Sequence, residues 1–165
     1  MMRLKFTQKL LNDMKVAPSE ANETNPLFSW HVNILQLKKK HIIFVNDLSR
    51  LCLILDGIRS SQINKLQDKF KTELKEYLQL EGVRRALIDQ YYLEAGEIHI
   101  EKTNDRSVLG TMKEMSLYSR DMEFDHTFDL SARLNSLIYK PIDYEKPIHV
   151  FKNALELIFR TLTVS

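Results

Sequence analysis

The sequence predicts an α+β fold. A small, mainly antiparallel sheet combines a three-strand meander with an N-terminal strand and one later strand, and about five or six helices pack on it. Three observations carry this expectation. The apolar runs Trp30–Leu37, His41–Asn46 and Leu51–Leu55 follow one another with connections too short for a crossover, so neighbours run antiparallel. Ser60–Gln79, Val83–Ala95 and the segment from Pro147 to Leu162 repeat apolar residues at three- and four-residue steps, the helical period. Finally, 165 residues with 44% hydrophobic and 28% charged side chains have the size and composition of one folded domain.

The elements follow in order. Arg3–Thr7 alternates polar and apolar, as a half-buried strand does. Gln8–Lys15 continues as a short helix with Leu10, Leu11 and Met14 at helical spacing. Residues 16–26 are polar, contain Pro18 and Pro26 and have no periodicity, which predicts a mobile surface loop. Lys38–Lys40 and Asp47–Arg50 connect the meander, and the Asn46 and Asp47 side chains suit bonds to the backbone two residues on. Gly57 ends it. The second and third meander strands are apolar on both faces, so the sheet needs cover on each side.

Ser60 or Ser61 caps the first long helix, whose inner stripe is Ile63, Leu66, Phe70, Leu74 and Leu78. Gly82 breaks the chain. Val83, Leu87, Ile88, Tyr91 and Ala95 share a face of the next helix, with Gly96 as C-cap. Glu97–Glu101 alternates as a strand whose pairing direction the sequence leaves open. Asn104–Ser107 supplies N-cap chemistry for a helix holding Val108, Leu109, Met112 and Met115. A short helix over roughly Leu130–Ile138 precedes the last, which Pro147 starts at its favoured position.

Charge and composition exclude several function classes. Twenty-four basic side chains face twenty-two acidic ones, for a net charge of +2, and the signs are interleaved. The one uninterrupted basic run is Lys38–Lys40, whereas nucleic-acid binders cluster their charge on one face. A protein partner or a homo-oligomer is therefore the expectation ahead of nucleic acid. A single cysteine, Cys52, forms no internal disulfide and no thiolate zinc site, which makes the reducing cytoplasm the default compartment. No apolar stretch approaches the roughly 20 residues of a membrane span, and the N-terminus lacks a signal-peptide core. No membrane, cofactor or metal is expected.

Two constellations carry candidate chemistry. On a strand, His31 and Asn33 share one face while Trp30 and Val32 take the other. His31 is a candidate general base and Asn33 a group to orient a substrate or hold an oxyanion; the competing reading is a hydrogen-bonded pair that fixes register. The second is Asn104–Ser107, where a helix N-terminus gathers free N–H groups and Arg106 and Ser107 add charge-assisted bonds to an anion. The plain alternative is an N-cap. Brought together, His31, Asn33, Asn104, Asp105, Arg106 and Ser107 form one polar pocket, with Asn46 and Asp47 as a further side. In it His31 is the base, Arg106 the anion clamp and Asp105 the orienting group. Glu97, His99 and Glu101 share a strand face and read as solvent-facing rather than metal-ligating. Cys52 reads as a buried, unreactive thiol.

Four motifs in this order carry a resemblance: Thr7-Gln8-Lys9-Leu10-Leu11, Ser29-Trp30-His31-Val32-Asn33, Phe44-Val45-Asn46-Asp47 and Lys102-Thr103-Asn104-Asp105-Arg106-Ser107-Val108-Leu109-Gly110. Across most of residues 3–115 the chain resembles a family of small bacterial proteins classed as a domain of unknown function. The resemblance implies a bacterial or mobile-element origin and a cytoplasmic domain, and it brings no catalytic residues. Two classes follow. One is a non-enzymatic binding or regulatory module, in a mobile-element or phage-defence setting by that resemblance. The other is a small hydrolase or transferase acting on an anionic substrate through the His31/Arg106 pocket.

Overall fold

In the computed structural model, which describes residues 1–160, the first strand β1 (Met2–Phe6) lies inside the sheet. It pairs parallel with β2 (Ser29–Gln36) on one side and with β5 (Ile98–Lys102) on the other. β2, β3 (Lys40–Asn46) and β4 (Cys52–Asp56) form the antiparallel meander, so the 5-stranded order is β4-β3-β2-β1-β5. The sheet is mixed. The expectation of a mainly antiparallel sheet is corrected at β1, whose pairings are both parallel. Long connections precede β2 and β5, and each returns the chain to the same end of the sheet, as a parallel pairing requires.

Among the described residues six α-helices surround the sheet: α1 (Gln8–Met14), α2 (Ile63–Leu80), α3 (Arg85–Ala95), α4 (Arg106–Ser119), α5 (Thr127–Leu134) and α6 (Pro147–Arg160). Most follow the sequence pattern, and the departures have local causes. α2 begins after Ser60 and Ser61 because the Ser60 hydroxyl donates to Asp13 at 2.8 Å and Ser61 takes a positive φ of 69°. α5 begins before Leu130 because His126 and Asp129 close a capping box around its first turn. It stops at Leu134, short of Ile138, where Asn135 turns its side chain onto β4. Leu162, the expected end of the last helix, lies outside the described residues.

Alternation along the strands divides the core in two. Leu4, Phe6, Trp30, Val32, Phe44 and Leu53 pack against α1, α2, α3 and α6. Phe44 stacks on Phe70 at 4.3 Å between centroids, and the Trp30 indole N–H donates to Tyr91 Oη at 3.1 Å, which satisfies the ring's polar atom. On the opposite face Leu35, Ile43, Val45, Cys52 and Ile54 meet Val108, Met112 and Met115 of α4 with Leu130 and Leu134 of α5. Cys52 is buried there, and burial pushes its thiol far up from the ordinary value. This second core covers the meander side. Where β2, β1 and β5 run side by side, the same face carries Ser29, His31, Arg3, Lys5, His99 and Glu101.

The free edge of β4 is closed by side chains. Asn135 Oδ1 accepts the Cys52 N–H at 2.8 Å, Asn135 Nδ2 donates to the Cys52 carbonyl at 2.9 Å, and Ser131 Oγ accepts the Ile54 N–H at 3.0 Å. Helix α5 thus takes the place of a sixth strand, which keeps another chain from pairing there. At the end of the same strand the backbone comes so close that a Cβ on Gly57 would stand 2.4 Å from the Lys40 carbonyl oxygen.

Candidate functional site

The polar face is organised around Asp47. Asn46, fully buried at the end of β3, holds the turn that presents it. Its Oδ1 accepts the N–H groups of Leu48 and Ser49 and the Ser49 hydroxyl, while its Nδ2 donates to the Leu27 and Ser29 carbonyls. The Asp47 N–H donates to the Ser29 carbonyl at 2.9 Å, which turns the carboxylate toward β2 and β1. There His31 Nδ1–H donates to Asp47 Oδ1 at 2.7 Å and Lys5 Nζ to Oδ2 at 3.1 Å. His31 Nε2 in turn accepts the backbone N–H of Asn104 at 3.3 Å. These partners fix the histidine as the neutral Nδ1–H tautomer. Its ring is 0% exposed, and both nitrogens are bonded.

Arg50 ties the same turn to α4. With a positive φ of 63°, it sends its guanidinium to the Asp47 carbonyl, to Ser107 Oγ at 2.9 Å and to Thr111 Oγ1 at 3.2 Å. Burial lowers its pKa from the usual arginine value, and Asp105 and Asp47 oppose that shift.

Beside this network Arg3 Nη1 lies 2.8 Å from Glu101 Oε2, with 6% and 1% of the two side chains exposed. The pair leaves polar capacity unused: Arg3 Nε and Glu101 Oε1 are buried without a hydrogen-bond partner, as is Ser29 Oγ. Residues 15–25, here called the strap, have no regular structure. Ser19 N–H donates to the Ile100 carbonyl at 2.8 Å and Thr24 Oγ1 to the Met1 carbonyl at 3.2 Å. Ala21, Asn22, Glu23 and Thr24 of the strap form an open pocket of about 400 Å³ with Lys5 and Asn104.

The expected pocket is thus assembled in part. His31, Asp47, Asn104 and Ser107 come together. Asn33, on the same strand face, is turned to local work instead, accepting the Thr7 hydroxyl at 2.6 Å and the Ile34 N–H at 2.8 Å. Asn46 is a buried hub of the turn and offers nothing to a ligand. Asp105 is the N-cap of α4, its Oδ1 accepting the N–H groups of Ser107 and Val108. The chain's own carboxylate therefore occupies the position an external anion would take at this helix end. Arg106 is exposed, and the guanidinium that enters the network is Arg50's.

Lys5, Arg50 and Arg3 were not singled out by the sequence, and Glu101, read there with Glu97 and His99 as solvent-facing, is instead buried against Arg3. For Arg3, Lys5 and Glu101 the one signal was alternation, Arg3 and Lys5 among Leu4 and Phe6, and Glu101 after Ile100, a pattern equally that of a wet strand face, and Arg50, in a connection between strands, had none. Glu97, His99 and Glu101 do not converge: His99 Nε2 is 3.8 Å from an exposed Glu97 oxygen, while Glu101 turns to Arg3. Among the described residues no group of three or more His, Cys, Asp or Glu is placed to hold a metal ion, and no helix is long and apolar enough to cross a membrane.

Fold and site together define an α+β protein with a mixed sheet whose polar face is locked by a buried Lys–Asp–His network. The chain belongs to the family described as a domain of unknown function (DUF6933), whose model matches residues 3–150. No curated protein and no solved structure matches it. The family's description names no activity.

Proposed function

We propose that the chain is a single-domain, non-enzymatic binding or regulatory module of the cytoplasm, working in a bacterial mobile-element or phage-defence setting; the setting rests on the family resemblance. One observation carries the molecular part. His31, the sole candidate base of the pocket, is 0% exposed with both ring nitrogens bonded, so no lone pair faces a substrate. Arg50 supports the same reading, because its Nε, Nη1 and Nη2 each donate within the chain, to two hydroxyls and a backbone carbonyl.

The test is turnover by the full chain of phosphate-ester, carboxylic-ester and thioester substrates, with wild type beside His31→Gln and Arg106→Ala. The expected result is no turnover above buffer in any protein, with lowered thermal stability in His31→Gln alone. Wild-type turnover that disappears in His31→Gln while the variant stays folded overturns the module reading and restores the enzyme.

A further inference from the structure

Helix α4 turns Val108, Met112, Met115 and Ser119 into the protein, and its opposite face is open. At about 100° per residue the middle of that open face is Gly110. Around it stand exposed Arg106, Lys113 and Leu117 and half-exposed Glu114. A glycine at the centre of a 14-residue helix weakens it relative to alanine. Nothing inside the chain asks for it here, because a Cβ on Gly110 would meet no atom within 4 Å. What the missing side chain does allow is close approach of another backbone from outside. Towards the end of the helix Leu117 and Tyr118 are 49% and 41% exposed, which makes that part of the surface apolar. Two charges on the face are also unengaged. Arg106 has no hydrogen-bond or ion-pair partner among the described residues, and Glu114 uses only Oε1, which accepts the Tyr118 hydroxyl at 2.8 Å.

We propose that α4 is the contact of a symmetric dimer, in which a second copy of this chain lays its own α4 antiparallel across Gly110. The spacing of charge selects this partner. Arg106 stands four residues before Gly110 and Glu114 four residues after it. A two-fold axis through the glycine therefore sets each Arg106 against Glu114 of the second copy, and the pair forms twice. The other positions fit the same register. Lys113 falls against Ser107 of the second copy, an uncharged residue, and its long stem lets the ammonium reach water. Leu117 falls over the second copy's first helical turn, where the aliphatic stem of Arg106 covers it. Asp105, the remaining charge at the start of the helix, is engaged in its own cap, its Oδ1 accepting the Ser107 and Val108 N–H groups. With glycine at the crossing the two axes approach to about 8 Å, the close end of ordinary helix packing. One helix pair buries less than the roughly 800 Å² a side of a standard interface, so the dimer is weak and forms as concentration rises.

The experiment is sedimentation equilibrium of the full chain from about 1 µM to about 1 mM. The expected result is a reversible rise in mass from one chain to two and no further, weakened by salt. Gly110→Leu, at an exposed position, should leave the circular dichroism spectrum unchanged and hold the chain at one copy throughout. Arg106→Glu and Glu114→Arg each place like charges across the axis twice, and each should weaken association at least about tenfold. The double variant restores opposite charges and should return to within about threefold of wild type. A mass of one chain at every concentration overturns the proposal, as does a dimer that survives Gly110→Leu or a double variant as weak as the single ones. Growth past two copies overturns it too, since a two-fold contact closes on itself. None of these results touches the module reading, which fails on His31-dependent turnover instead.

Discussion

Asn135→Ala should be among the most destabilising single changes in the chain, although the residue touches no candidate site. The side chain is fully buried and makes contacts with two elements. Its Oδ1 accepts the Cys52 N–H at 2.8 Å, and its Nδ2 donates to the Cys52 carbonyl and to Tyr77 Oη, both at 2.9 Å. Alanine leaves both backbone groups of Cys52 unpaired on the edge of β4 and withdraws a donor from Tyr77, at about 1–3 kcal/mol for each buried group left unsatisfied. Water entering along an edge strand recovers part of this, so the net loss should be about 3 kcal/mol. Against a total of about 5–15 kcal/mol for a domain, that is a large fraction.

The assay is equilibrium urea unfolding followed by circular dichroism. With a slope of about 2 kcal/mol per molar, the midpoint should fall by about 1.5 M at unchanged slope. Ser131→Ala, which removes the single bond to the Ile54 N–H, should cost about 1 kcal/mol. The double variant bares the edge and should self-associate in light scattering. An Asn135→Ala midpoint within about 0.3 M of wild type would refute the view that α5 seals the sheet through these side chains.

Two further expectations concern charge. Arg50→Lys should lower stability by about 2 kcal/mol, because a point charge does not reproduce the fork that reaches Asp47, Ser107 and Thr111 together, whereas exposed Arg106→Ala should stay within about 0.5 kcal/mol; thermal melts in the reverse order would refute the assignment. Burial holds the Glu73 carboxyl above its ordinary value of 4.5 against the opposing pull of Lys69. A carboxyl raised on folding keeps its proton longer in the native state, so stability falls as pH rises from the ordinary value through the raised one. Glu73→Gln should therefore raise Tm near neutral pH and leave it unchanged well below 4.5, and a gain equal at both pH values would count against this origin.

The sequence by itself determined what depends on neighbours along the chain. The meander was legible because Lys38–Lys40 and Asp47–Arg50 are too short to let β2, β3 and β4 run any way but antiparallel. The helical stripes of α2, α3 and α6 were legible from spacing, and the capped start of α4 from the string Asn104–Ser107, within which the structure makes Asp105 the cap. Only the tertiary structure decided where β1 and β5 go, since parallel pairing joins segments that no local pattern connects, Met2 with Ile98 and Lys5 with His31. That pairing made the candidate site. It set Lys5 beside His31 and Asp47, brought the Asn104 N–H onto the imidazole, and placed Arg50 where the sequence had put Arg106. Alternation told which residues share a face, but whether a polar face meets water or another charge is settled by what the rest of the chain lays over it.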